Sequence, residues 1–273
     1  MAEAQPQSEI GSVLRHWRES KHLTQLDVAL DAGVSARHLS FVETGRSRPG
    51  REALLRILEQ LGVPFRERNR LLLAAGYAPA YPERALDDPD LAPVRDALDL
   101  VLSGHEPYPA VAVDRVWNMV AANSAMLALT EGIEVAPELL EPPINVIRIG
   151  LHPRGLAPLF VNLGDWHAHW VRHLEHQVAA TKDERLAALL DEIASYPVPG
   201  PERDAASGIT VEQMLGPVRM RARDGGELAF FGMFATFDTP FEVTTSELAV
   251  ELLFPADRAT AERLQGPARA SGQ

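Results

Sequence analysis

The chain has 273 residues, 46% hydrophobic and 23% charged, with a net charge of −12, so it has the length for two domains and is not disordered throughout. The absence of cysteine excludes disulfides, thiolate metal sites, iron–sulfur clusters and cysteine nucleophiles together. No apolar run approaches the ~18 residues of a membrane span, and MAEAQPQSE lacks the basic and apolar regions of a secretory signal, so a soluble, cytoplasmic protein with no membrane partner is expected.

In chain order, the first 76 residues read as five short helices separated by stop signals. Ile10, Val13, Leu14 and Trp17 recur at helical spacing, and His22-Leu23 breaks the run. Thr24 caps a helix over Gln25–Ala32 that ends at Gly33, and Ser35 caps Ala36–Thr44, which ends at Gly45. A fourth helix follows Pro49 and buries Leu54, Leu55, Leu58 and Leu61; a fifth spans Phe65–Ala75. Residues 77–104 read as a linker with three prolines before Asp90, then a connecting helix over Asp90–Ser103.

From residue 105 to 265 strand and helix mix. Short strands are predicted at Ala110–Val113 and Val116–Val120, then helices at Asn123–Leu129, Asp165–Thr181 and Asp183–Ser195. In PVRMRAR, Val218, Met220 and Ala222 alternate with Arg219, Arg221 and Arg223, the period of a half-buried strand, and Asp224-Gly225-Gly226 turns it into the aromatic-rich strand Glu227–Phe237. A strand at Leu248–Phe254 and a helix at Asp257–Leu264 complete the domain, and residues 266–273 read as a flexible tail. The fold class is therefore multidomain, an α domain followed by an α+β domain.

Chemistry concentrates in QLDVALDAGVSARHLSFVET. Ala29 is small where two helices touch, Gly33 tolerates the turn, and Val28, Ala32, Val34, Leu39 and Val42 are spaced to fill a shared core. That arrangement is a helix-turn-helix, whose second helix carries Ala36, Arg37, His38 and Phe41 outward. Charge agrees: residues 1–76 hold 11 Lys/Arg against 9 Asp/Glu, whereas the rest holds 15 against 29. Only the N-terminal part could approach a polyanion, through four Arg and one Glu between Ser35 and Arg51. Glu43, the acid in that strip, is expected to pair with an arginine.

LTQLDVALDAGVS…LSFVETGRSRP resembles the lambda-repressor-like (XRE) helix-turn-helix family. The resemblance implies a DNA-binding set of Gln25, Ser35, Ala36, Arg37, His38, Phe41, Arg46 and Arg48. Gln25 would face a phosphate, Arg37 a guanine, Ala36 or Phe41 thymine methyls, and Arg46 and Arg48 phosphates. The continuation YPAVAVDRVWNMVAAN, NVIRIGLHPRGLAP and FVNLGDWHAH resembles MmyB-like transcription regulators, in which a PAS-like ligand-binding domain with antiparallel sheet and flanking helices follows the XRE domain. That implies a regulator of double-stranded DNA operators, acting as a homodimer and sensing a small apolar ligand such as a fatty acid, with no required cofactor. The alternative is an adaptor whose second domain only dimerises.

Candidate ligand contacts are Trp117, Trp166, Trp170, Phe231 and Phe234 for an apolar body, with Arg148 or His169 for a ligand carboxylate. The run HAHWVRHLEH places His169 and His173 at i, i+4, a zinc-compatible spacing, but HExxH and an evident carboxylate ligand are missing, so no metal site is assigned. GxSxG, GxxxxGK[ST] and GxGxxG are absent as well, and no enzymatic activity is expected.

Overall fold

The computed structural model describes residues 6–198, 216–222, 224–238 and 240–270. They form two compact units, one of residues 1–88 with 238–246 and the other of residues 89–237 with 247–273.

The first unit holds α1 (Pro6–Ser20), α2 (Gln25–Asp31), α3 (Ala36–Glu43), α4 (Arg51–Gln60) and α5 (Phe65–Ala74). Its core is aliphatic: Ile10, Leu14, Val28, Ala29, Leu39, Val42, Leu54, Ile57, Leu58 and Leu71 are all buried. Gly11 permits the approach of α1 to the end of α3, because a Cβ there would lie 2.5 Å from the Val42 carbonyl oxygen and 2.6 Å from that of Glu43. Periodicity gives no hint of that requirement.

The expected linker is in part a docked extension of α5. Tyr81 stacks on Phe65 with centroids 4.0 Å apart, and Asn69 Oδ1 accepts hydrogen bonds from the Ala80 and Tyr81 amides. The returning segment 238–246, which joins two strands of the other unit, adds a helical turn at Val243–Ser246. The Val243 amide donates to the Pro82 carbonyl, and Arg84 pairs with buried Glu242 at 2.9 Å. The proline content predicts a linker, but not the side chains of α5 that hold it.

The second unit contains α6 (Ala92–Gly104), β1 (Ala110–Val113), β2 (Met119–Ala122), α7 (Ser124–Thr130), α8 (Val146–Leu151), α9 (Leu163–Thr181), α10 (Glu184–Ala194), β3 (Val218–Arg221), β4 (Glu227–Thr236), β5 (Ala249–Pro255) and α11 (Arg258–Ala270). The sheet is antiparallel throughout, in the order β2-β1-β5-β4-β3. The strand predicted at Val116–Val120 begins at Met119, because the Asp114 carboxylate accepts the Val116 and Asn118 amides and holds Trp117 at φ 68°. Val218 and Met220 are buried while Arg219 and Arg221 are exposed, as the alternation requires; Arg223 lies outside the described residues. The last helix continues to Ala270, past the predicted start of the tail, and the final three residues lie outside the described set.

Register decides what faces the helices. Val111 pairs with Glu251, Glu251 with Phe234, and Leu253 with Gly232, so these residues share one face of the sheet. Val111, Val113, Phe230 and Leu253 on that face pack with Trp166, Trp170 and Leu174 of α9 and with Met126 of α7. The opposite face carries Phe231 and Met233, both exposed.

Candidate functional site

In the first unit the helix-turn-helix is defined by its caps. Thr24 and Asp27 form a reciprocal capping box at the start of α2, and Ser35 Oγ accepts the His38 amide at the start of α3. Gly33 makes the turn at φ 63°, where a side chain would be strained, and the Val34 amide closes back on the Ala29 carbonyl. The outer surface of α3 then exposes Arg37, whose guanidinium lies 5.3 Å from the centre of the Phe41 ring. An exposed cation at the start of the second helix, steadied from beneath by an aromatic ring, suits contact with base edges.

Behind that surface Glu43 is buried in a polar cluster. Arg18 donates to both of its oxygens at 2.7 and 3.0 Å, Gln25 Nε2 donates at 2.8 Å, and Arg15 stands 3.6 Å away. Burial pushes the carboxyl up, but the hydrogen bonds from Arg18 and Gln25 and the charges of Arg18 and Arg15 bring it below its usual value. The Gln25 side chain, expected at a phosphate, is thereby turned toward Glu43. Arg48 is also occupied: it donates to the Ala75 carbonyl and lies over the Tyr77 ring. Arg46 is exposed and has no side-chain partner among the described residues.

In the second unit a cavity of about 250 Å³ separates the sheet from α7, α8 and α9. That is just below the ~300 Å³ at which small-molecule pockets usually begin. Met126, Ile147, Leu156, Trp166 and Trp170 line it from the helical side, and Val111, Val218, Met220 and Leu253 from the sheet. Thr130 and Glu251 supply the polar side chains apart from the indoles. Glu251 is only 8% exposed, and its carboxyl makes no hydrogen bond or ion pair with a described residue. Burial pushes its carboxyl up to about 7.

Two matches to known families now bear on this pair of sites. Residues 14–68 match the Helix-turn-helix family model, and residues 94–266 match the MmyB-like transcription regulator ligand binding domain. The chain belongs to the MmyB-like transcription regulators. Both matched families are regulatory, one binding DNA and one binding ligand. No curated protein is significantly similar. Among solved structures, the clp gene regulator ClgR from C. glutamicum is 28% identical over 27% of this chain and 92% of its own, with a TM-score of 0.24. ComR from Streptococcus suis is 16% identical over 68% of this chain and 67% of its own, at 0.22. An RNA-binding Light-Oxygen-Voltage Receptor is 14% identical over 97% and 64%, at 0.27. Membership rests on the family models.

The ligand contacts read from the sequence divide unequally around the cavity of this MmyB-like regulator. Trp166 and Trp170 line it. Trp117 is buried behind Trp170, edge-on at 4.7 Å, and Phe234 meets Trp117 rather than the cavity. Phe231 is on the opposite face of the sheet, stacked on Phe254, because strand alternation sends neighbours to opposite sides. Arg148 is outside the lining and forms a bidentate pair with Glu192 at 2.8–3.0 Å, which satisfies its charge. His169 stacks on Trp166 outside the lining, and burial, followed by the nearby His173 and Arg172, lowers its pKa and so favours the uncharged ring. His173 is lowered in the same way, by burial and then His176, and its buried Nε2 has no partner among the described residues. No group of three metal-binding side chains occurs among the described residues.

Sequence reasoning missed the aliphatic wall from α7 to α8 and missed Glu251. A signal for the latter exists. In AVELLF an acid interrupts an otherwise apolar strand, at a position that alternates inward with Leu253.

Proposed function

We propose that the protein is a homodimeric, ligand-responsive transcription regulator that reads a two-half-site operator through α3 and senses an apolar molecule in the cavity of its second unit. The observation that carries the reading is an apolar cavity in a ligand-domain family, on the same chain as a helix-turn-helix with an exposed Arg37. One recognition helix contacts too few bases for selectivity, so two copies on related half-sites are required. An antiparallel sheet with helices over one face and a cavity between them supports the PAS-like reading. The hydrocarbon of an acyl or similar chain, whatever its head group, suits the walls of the cavity, since each buried methylene contributes about 0.8 kcal/mol.

Regulation needs a ligand that prefers one of two states. The cavity-lining strand β5 and its partner β4 are joined by segment 238–246, which packs into the helix-turn-helix unit through Glu242 and Val243. A change in these strands on binding therefore has a covalent path to the DNA-reading unit.

Two measurements on the full chain test this. Selection from random duplex DNA, followed by sedimentation, should give a palindromic site bound by two copies; a monomer persisting on DNA removes the dimer. Organic extraction of purified protein, read by mass spectrometry, should release an apolar molecule, and adding it back should change operator affinity. A chain that binds operator identically with and without every apolar compound tried is an adaptor instead.

A further inference from the structure

Glu251 lines the apolar cavity, and its carboxyl has no partner among the described residues. Its row on the sheet, between Val111 of β1 and Phe234 of β4, is one that an apolar residue would fill at no electrostatic cost. An unpartnered acid there opposes folding, because a buried carboxylate needs a charge or a hydrogen-bond donor. Backbone and side chains leave it open. A Cβ at Gly232, across from it on β4, would sit 3.2 Å from its Oε1, so the glycine leaves room around the carboxyl. No other titratable side chain lines the cavity among the described residues, and Arg148 and His169, the groups that might greet an acidic ligand, lie outside it. Whatever occupies this space meets hydrocarbon on nearly every side and one acid.

We propose that the cavity selects an apolar molecule bearing a protonated amine, whose N–H donates to the Glu251 carboxylate. The inference rests on the sensor reading above and names the ligand class that site takes. A charge-assisted N–H···O⁻ bond is among the stronger polar contacts, and it relieves the buried acid at the same time. A fatty acid does the reverse: its carboxylate would face a second carboxylate, and one of the two would have to stay protonated. Binding of the ammonium requires ionised Glu251, so any proton held there leaves to solvent as the pair forms. The amine itself stays charged throughout.

The test uses the full chain with octylamine, octanol and octanoic acid, titrated by calorimetry at concentrations below aggregation. Octylamine should bind about tenfold or more tighter than octanol, with octanoic acid weakest near neutral pH. Glu251→Gln should bring octylamine down to the level of octanol and leave octanol unchanged. Should that variant not fold, wild-type protein decides: octylamine affinity falls from about pH 8 to about pH 6 as Glu251 protonates, while octanol affinity stays level. Octanoic acid binding as tightly as octylamine, or an amine affinity indifferent to both Glu251→Gln and pH, overturns the inference while the sensor reading stands. If none of the three binds, both fall together.

Discussion

Glu43 and Glu251 are acids buried to similar degree, 5% and 8% exposed, one in each unit. Glu43 has Arg18, Gln25 and Arg15 around it, drawn from α1 and α2, and it stays ionised as part of the frame that holds α3. Glu251 has no donor from its own chain among the described residues, and its carboxyl is pushed up to about 7. The difference separates two uses of buried charge. Where the fold supplies the partners, the acid specifies a structure. Where it withholds them beside a cavity, the partner is a proton or a ligand.

Removing Glu43 should give the largest effect. Glu43→Ala takes from Arg18, largely buried, its two shortest carboxylate contacts and leaves it the Leu23 carbonyl and exposed Glu19, and breaking such a pair by deleting one member costs about 3–5 kcal/mol. Urea unfolding of the full chain followed by circular dichroism measures it; a loss below about 1 kcal/mol would place this cluster with the weak surface pairs.

Glu251→Gln should act in the opposite direction. The folded carboxyl holds its proton more tightly than the unfolded one, so wild-type stability falls as pH rises from about 4.5 to about 7 and is level beyond. Glutamine removes that dependence. The variant should match wild type near pH 4 and exceed it near pH 8 by about 3 kcal/mol, an upper figure reduced by whatever water enters the cavity. Glu43 contributes the contrary slope, since its lowered carboxyl supports the fold at neutral pH and that support is lost on acidification. Melting curves of wild type and Glu251→Gln across pH separate the two acids; parallel curves would mean that Glu251 has a partner after all.

Much of the fold was legible because local signals and burial agree. Caps at Thr24 and Ser35, turns at Gly33 and Gly45, and alternation in Val218–Arg221 each state their structure in a few residues. Gly11 and the docking of 238–246 were not legible, since both depend on what a distant segment brings near. The ligand site was read by residue type, which favours aromatics. Phe231 and Phe234 stand out in the sequence as aromatics crowding one strand, yet strand register decides which face each residue takes and packing which of them reaches the cavity. Register emerges only when β4 is paired with β5. Arg148 looked available to an anion because Glu192, 44 positions later, is invisible from its own neighbourhood.

On the DNA-reading surface the same contrast ranks the arginines. Arg37 is exposed on α3 and, among the described residues, is held only by the face of Phe41. Arg37→Ala should cost about 1–3 kcal/mol of operator binding and relax preference at one base pair, as judged by competition among single-base operator variants. An equal loss on operator and random DNA would assign Arg37 to the phosphates instead.

Arg46 and Arg48 flank Ser47 in the loop after α3, and composition alone gives them one role. Their surroundings give them two. Arg48 is tied to the Ala75 carbonyl and covers Tyr77, whose hydroxyl donates to the Pro49 carbonyl, so it fastens the end of α5 to the loop. Arg46 has its backbone fixed by a hydrogen bond from its amide to the Phe41 carbonyl, while its side chain is open to solvent. A free guanidinium beside α3 is the one that can displace counterions from a phosphate. Arg46→Ala should therefore weaken operator and random DNA alike and flatten the plot of log affinity against log salt by about one unit, with unchanged melting. Arg48→Ala should lower thermal stability by about 1 kcal/mol, the size of a lost hydrogen bond with its cation–π contact, and alter the salt slope less. Reversal of the pair, with Arg48 carrying the salt dependence and Arg46 the stability, would show that DNA draws Arg48 off its tether, and that a partner in the free protein does not predict one in the complex.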